Sequence, residues 1–200
     1  MNIPVQEQTG DNSASEADDI ALMLRVKDGD LDAFHALVQG YQYRVVGTVT
    51  RMLGNEEGSE DIAQQVFLRV WKSARTYKPT AKFNTWLMTI TRNLVFNEIR
   101  RRSRHPTQSL NLEFDDRPQQ YEDPTVSSPA EQMQEKELQA AIDAAIAALP
   151  EQQRMAVVLR RYEELSYDEI AAILSTSVSA VKSMLFRARA ELREHLQKYL

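Results

Sequence analysis

The sequence predicts an all-α chain: two small helical domains joined by a flexible acidic connector. Three observations carry this. Apolar residues recur at helical spacing along most of the chain, and no stretch alternates apolar and polar residues as a half-buried strand would. Glycine and proline number only 6 and 7 in 200 residues, and both are poor inside helices. Four of the prolines (Pro106, Pro118, Pro124 and Pro129) fall in one acidic, serine-containing stretch. A segment of that length without periodicity belongs between domains rather than inside one.

Taken in order, residues 1–17 are polar, acidic and aperiodic, and read as disordered; the acidic tail is drawn at 1–19. From Ile20 the stripes begin: Leu24, Leu31, Phe34, Leu37, Val38, Tyr41, Val45, Val46, Val49 and Met52. Asp28-Gly29-Asp30 is a turn whose second aspartate caps the next helix. Gly54-Asn55 ends that helix, and Asn55 is expected to cap another that runs to Trp71. Its apolar face is Ile62, Val66, Phe67, Val70 and Trp71. Thr76-Tyr77-Lys78-Pro79-Thr80 is a loop, because Pro79 cannot continue a helix. A long helix follows from about Ala81 to Arg102, with Trp86, Leu87, Ile90, Leu94 and Ile99 expected inward. The first domain thus spans 20–105, the connector 106–132 and the second domain 133–200. In the second domain Leu138, Ile142, Ile146 and Leu149 form one stripe, ended by Pro150, and Met155, Val158, Leu159 and Tyr162 form the next. Two further helices, Ser166–Leu174 and Ser177 to the C-terminus, are split by Ser175-Thr176, a helix-turn-helix pattern. Ser166 and Glu169 have the spacing of a capping box.

The net charge of −5 conceals a strong alternation. Residues 1–19 carry five acids and no bases, and residues 20–105 carry fourteen bases and eight acids. Residues 106–137 carry two bases and eight acids, and residues 138–200 carry eight of each. The basic block is of the kind that attracts phosphates. There is no cysteine, so disulfides and thiolate metal sites are excluded, and a reducing cytoplasm suits the chain. No secretory leader and no apolar run of membrane-spanning length is expected. His35, His105 and His195 lie far apart, and there is neither a phosphate-binding glycine loop nor a nucleophile elbow. The expectation is a protein that is not an enzyme and holds no cofactor or metal.

Three constellations remain. In the last helix Val178, Val181 and Leu185 face inward, leaving Ser179, Ala180, Lys182, Ser183, Phe186, Arg187 and Arg189 on the outer arc. That arc fits a DNA major groove, with the solvated basic face of a plain helical hairpin as the alternative. Between Tyr77 and Arg104, the aromatics Tyr77, Phe83 and Trp86 are interleaved with Lys78, Lys82, Arg92, Arg100 and Arg101. Such a set can hold a nucleic-acid backbone and stack unpaired bases, although tryptophan beside leucines also reads as core and terminal arginines also suit a helix dipole. Finally, Asp61, Gln64, Gln65 and Leu68 share one stripe of their helix, either a solvated face or a docking surface.

These stretches, in this order, resemble the extracytoplasmic-function class of the sigma-70 family of RNA polymerase sigma factors. The likeness covers about residues 20–104 and 133–200, as a sigma-2-like and a sigma-4-like domain. It implies that Asp61, Gln64, Gln65 and Leu68 dock on core RNA polymerase. Phe83-Asn84-Thr85-Trp86 through Arg92-Asn93-Leu94 is its most specific part. That part is similar to the family's minus-ten reading and melting segment, which implies single-strand contacts at Tyr77, Lys78, Lys82, Phe83, Asn84, Trp86, Arg92, Asn93, Arg100 and Arg101. Leu165–Ala171 and Ser179–Arg189 resemble the two helices of the minus-thirty-five reader, implying duplex contacts at Ser179, Ala180, Lys182, Ser183, Phe186, Arg187 and Arg189. The chain departs from the family at Gln65, where glutamate is common, and at Ser177, Ser179, Ala180 and Met184. The resemblance also implies promoter DNA as a partner, an anti-sigma factor, a cytoplasmic location without membrane insertion, and control of stress- or envelope-responsive genes. Two other readings fit the residues alone: a stand-alone helix-turn-helix regulator, and a sigma mimic that binds a regulator but not DNA.

Overall fold

The computed structural model describes residues 10–55, 58–104 and 129–199, and every regular element among them is helical. The first domain comprises α1 (Gly10–Lys27), α2 (Leu31–Leu53), α3 (Ser59–Ser73) and α4 (Phe83–Arg104), with a 3-10 turn at Ala74–Thr76. The second comprises α5 (Pro129–Ala148), α6 (Glu151–Arg161), α7 (Tyr167–Leu174) and α8 (Val178–His195). The described chain resumes with α5, so most of the 106–132 connector lies outside the described residues.

Local chemistry sets the ends of these helices. Asp30 caps α2 by accepting hydrogen bonds from the amides of Asp32 and Ala33, both at 3.0 Å. Gly54, with φ of 77°, closes α2 in the left-handed conformation that costs glycine least. The sequence expectation for α3 needs correction. Its N-cap is Gly58, with no side-chain cap, and Asn55 instead accepts a hydrogen bond on its carbonyl from Ser59 Oγ. The capping box of α7 is complete: Glu169 N donates to Ser166 Oγ at 3.3 Å, and Ser166 N donates to Glu169 Oε2 at 2.8 Å.

The acidic N-terminal segment also departs from expectation. Residues 1–9 lie outside the described residues, but α1 is helical from Gly10 onward. Composition alone cannot supply the reason, which is tertiary. Met23 and Val26 are buried against the first domain, Asp19 accepts a hydrogen bond from the Tyr41 hydroxyl, and Glu16 pairs with Lys82. Each fully buried Met or Val side chain contributes about 1.5–3 kcal/mol, enough to order a turn that charge disfavours.

The inward face of α4 is rotated from the one expected. Phe83, Thr85, Leu87, Met88, Thr91 and Val95 are buried, whereas Trp86, Ile90, Leu94 and Ile99 are only partly covered. The helix is packed from two sides, by α2 and α3 within its own domain and by α7 from the other. Small polar residues therefore enter its buried stripe, and Thr91 Oγ1 satisfies itself on the Leu87 carbonyl at 3.0 Å.

The two domains touch along α4–α7, α2–α6 and α2–α5. Charged groups populate this contact. Arg154 donates to the Met52 carbonyl at 2.6 Å and the Leu149 carbonyl at 3.0 Å, and also to Ala147. It thereby serves the last carbonyls of α2 and α5, which have no partners within their own helices. Glu163 accepts from Arg44 Nε and Thr48 Oγ1, both at 3.0 Å, and the Arg51 guanidinium lies 3.8 Å over the Tyr162 ring.

Candidate polymerase and nucleic-acid interfaces

Helix α3 separates its residues cleanly. Ile62, Ala63, Val66, Phe67 and Val70 are buried, and Asp61, Gln64, Gln65 and Leu68 are exposed together on the far side. Leu68 is 56% exposed, an apolar side chain left among polar neighbours. Burying it against a partner would remove apolar area from water, which a merely solvated stripe does not offer.

Helix α8 is capped by Ser177, whose Oγ accepts from Ala180 N at 3.2 Å. Val181, Leu185 and Ala188 anchor it to the domain. Ser179, Lys182, Phe186, Arg187 and Arg189 are exposed, and Ala180 and Ser183 are half-buried. Phe186 is 75% exposed. Arg187 Nη2 donates to Ser183 Oγ at 3.1 Å, one turn away, which orients the guanidinium along the outer face.

The loop before α4 and the start of α4 depart most from expectation. Tyr77 and Phe83, expected to meet bases, are 2% and 1% exposed and belong to the core. Phe83 meets Tyr41 edge-on with ring centroids 5.1 Å apart, and Tyr77 meets Trp86 in the same way. Burial, and then the nearby Asp19 carboxylate, hold the Tyr77 hydroxyl above its ordinary range. Both rings are taken up because α1 packs against the 3-10 turn and α4, and α2 meets Phe83 through Tyr41. Trp86 keeps a partly exposed surface.

The polar candidates are spread from this aromatic floor to the opposite end of α4. Lys78, Lys82, Asn93, Arg100 and Arg101 are exposed, and Asn84 and Arg92 are half-buried. Lys82 Nζ lies 2.5 Å from Glu16 Oε1 and 3.6 Å from Glu169 Oε1, and the Glu16 hydrogen bond foremost raises the lysine's pKa. Arg92 donates to Asn93 Oδ1 at 2.9 Å and to the Leu174 carbonyl at 3.4 Å, and its guanidinium stands 4.9 Å from the Phe96 ring. At the far end, Arg101 makes a two-pronged contact with Glu98 at 2.7 and 2.8 Å, and Arg102 Nε joins it at 2.9 Å. The Arg101 hydrogen bond foremost holds the Glu98 carboxyl down at about 2.

Two family models match the chain. Sigma-70 region 2 covers residues 37–105 and Sigma-70 region 4 covers residues 139–192, together more than half of the sequence. The chain belongs to the sigma-70 family.

Within the family several of its relatives are named ECF RNA polymerase sigma factors. The chain is 32% identical over 190 residues to the RNA polymerase sigma-H factor of Pseudomonas aeruginosa, covering 93% of this chain and 97% of that one. To the ECF RNA polymerase sigma-E factor of Haemophilus influenzae it is 33% identical over 188 residues, covering 92% and 98%. Two solved structures share the fold. One is CnrH in complex with the cytosolic domain of CnrY, with a TM-score of 0.65, 24% identity, and 90% and 98% of the two chains covered. The other is the sigma factor RpoE in complex with the anti-sigma factor NepR from Bartonella quintana, with a TM-score of 0.65, 22% identity, and 82% and 96% covered. This sigma factor directs RNA polymerase to promoters for transcription initiation. Among the described residues no single helix is long and apolar enough to cross a membrane.

The residues that sequence reasoning missed are those that join the sigma factor's two domains: Arg44, Thr48, Arg154, Glu163 and Glu169 in its tethering role. The sequence marks Glu169 as part of a capping box but not as a partner of Lys82. For Glu163 there is no signal of spacing or motif at all.

Proposed function

We propose that three surfaces of this sigma factor act in sequence, over a first domain at 20–105 and a second at 133–200. The exposed α3 stripe of Asp61, Gln64, Gln65 and Leu68 docks on core polymerase. The outer face of α8 enters the major groove of duplex minus-thirty-five DNA. There Lys182 and Arg187 meet guanine edges or phosphates, Phe186 meets thymine methyls, and Ser179 and Ser183 meet phosphates. Unpaired minus-ten bases then lie on the first domain, held by Lys78, Lys82, Asn84, Trp86, Arg92, Asn93, Arg100 and Arg101. Tyr77 and Phe83 form the floor on which Trp86 is fixed.

The observation that carries this reading is the partly exposed Trp86 packed on the buried Tyr77 and Phe83 rings, with Lys82 just before its helix and Arg92 within it. Unstacking costs a few kcal/mol per base, and stacking on an aromatic returns about 1–3 kcal/mol. Phosphate contacts and polymerase supply the remainder, with no nucleotide hydrolysis by this chain. The solved complex of the sigma factor RpoE with the anti-sigma factor NepR supports a further partner for this chain, an anti-sigma protein. It acts where the polymerase does, in the cytoplasm. A stand-alone helix-turn-helix regulator is not favoured, because α3 and α4 would then have no role.

The test mixes purified chain with core polymerase on a selected promoter library. Promoter-dependent transcripts that fall with Trp86→Ala and with Arg92→Ala are expected. Transcripts no more abundant than with core polymerase alone would refute the reading.

A further inference from the structure

Helix α1 meets the chain on both sides of the loop that leads into α4. That loop, residues 78–82, has no anchor in the core: all five side chains are exposed, and within it one backbone hydrogen bond runs from Thr80 N to the Lys78 carbonyl at 2.8 Å. Where the loop starts, Lys27 Nζ donates to the Tyr77 carbonyl at 3.4 Å. Where it ends, Asp19 accepts from the Tyr41 hydroxyl, and the Tyr41 ring meets edge-on the ring of Phe83, the first residue of α4. Asp19 and Lys27 stand about 12 Å apart along their helix. Between them Met23 and Val26 are buried in the core, so both residues project from a fixed support. Glu16 also reaches Lys82 Nζ at 2.5 Å, but an ammonium on a flexible stem fixes no backbone.

We infer that α1 is a positioning strut for strand capture: Lys27 and Asp19 hold the two ends of the 78–82 loop, so that Lys78 and the Trp86 platform are set before an unpaired strand arrives. Neither Lys27 nor Asp19 touches the strand. A loop with no side chain in the core takes its shape from its ends, and whatever those ends leave unfixed must be ordered at binding, at the expense of affinity. Lys27 acts on the platform as well, because the carbonyl it holds belongs to Tyr77, whose ring supports Trp86. The link to capture rests on the strand-binding role assigned to α4 and its loop above; the strut itself does not.

The chain has no cysteine, so a dye on Thr80→Cys, exposed in the loop and outside the proposed strand contacts, reports loop mobility in the full chain by anisotropy decay. Strand capture is read with polymerase reconstituted from core enzyme and the full chain, as the ratio of its affinities for a promoter fragment from the selected library with and without an unpaired minus-ten strand. Lys27→Met and Asp19→Ala are each expected to free the loop dye and to lower that ratio about five- to ten-fold, the size expected when about one residue must be ordered at binding. Lys27→Arg and Asp19→Asn, which keep the donor and the acceptor, are expected to restore both. Lys136→Met, the same charge removed from an exposed site on α5, is expected to change neither. The salt dependence of the ratio is expected to be the same in Lys27→Met as in the unaltered chain; a slope flatter by about 0.7 would make Lys27 a phosphate contact and overturn its positioning role. An unchanged dye signal in both Lys27→Met and Asp19→Ala overturns the strut. A freed dye with an undiminished ratio overturns the link to capture. If Lys82→Ala and Arg92→Ala also leave the ratio unaltered, the strand assignment itself falls.

Discussion

The rings of Tyr77 and Trp86 meet edge to face, 4.9 Å apart at 67°, and only Trp86 retains exposed surface. The Tyr77 hydroxyl is buried without a hydrogen-bond partner among the described residues. Removing an unpaired buried hydroxyl relieves its desolvation, so Tyr77→Phe is expected to leave stability unchanged or raise it by up to about 1 kcal/mol. Transcript yield should hold. Urea midpoints together with transcription assays check this. Loss of strand capture at unchanged stability would give the hydroxyl a direct role and contradict its place in the floor.

Trp86→Ala should behave differently, costing about 1–3 kcal/mol in minus-ten strand affinity because the stacking platform is gone. Fluorescence of a base analogue in the polymerase–promoter complex reads this as weaker opening. Equal opening by the variant would leave Trp86 a packing residue only.

Glu98 gives the first domain a pH dependence of known sign. Its carboxyl falls from the ordinary 4.5 to about 2, through the Arg101 hydrogen bond first and that of Arg102 as well. A depressed folded pKa means that the stabilisation is complete above about 4.5 and is lost as the pH falls towards about 2. The difference in urea midpoint between the unaltered chain and Glu98→Gln should be greatest near neutrality and shrink across that window. A difference independent of pH would show that the carboxylate charge does not matter.

On the duplex-reading face, Lys182→Ala or Arg187→Ala should flatten the dependence of log affinity on log salt by about 0.9 for each phosphate no longer neutralised. Phe186→Ala should leave that slope alone while weakening sites with thymine at the contacted step. A mobility shift of holoenzyme on minus-thirty-five duplex across a salt series separates these. Identical slopes for all three variants would leave α8 without phosphate contacts.

On α3, Leu68→Ala and Asp61→Lys should each weaken core polymerase binding, Leu68→Ala by about 1–2 kcal/mol, without moving the thermal midpoint, because both side chains face solvent in the free chain. Titration of core enzyme with labelled chain measures it. Undiminished affinity in both variants would return the stripe to a plain solvated face.

The sequence by itself determined the helical class, the order of the elements and the two outward faces that need no partner within the chain. Asp30 and Ser166 could be read as caps because capping depends on neighbours within one turn. The stripes of α3 and α8 were legible because each of those helices buries one face against its own domain. Tertiary structure decided the rest, where burial depends on what arrives from elsewhere in the chain. Tyr77 and Phe83 read as strand-contacting aromatics until α1 and α2 close over them, and residues 10–19 read as a tail until Glu16 and Asp19 find Lys82 and Tyr41. Glu163 meets Thr48 across 115 positions of sequence, a pairing that no local pattern can encode. Local periodicity records which side of a helix is apolar; it does not record which distant surface will come to lie against the other side.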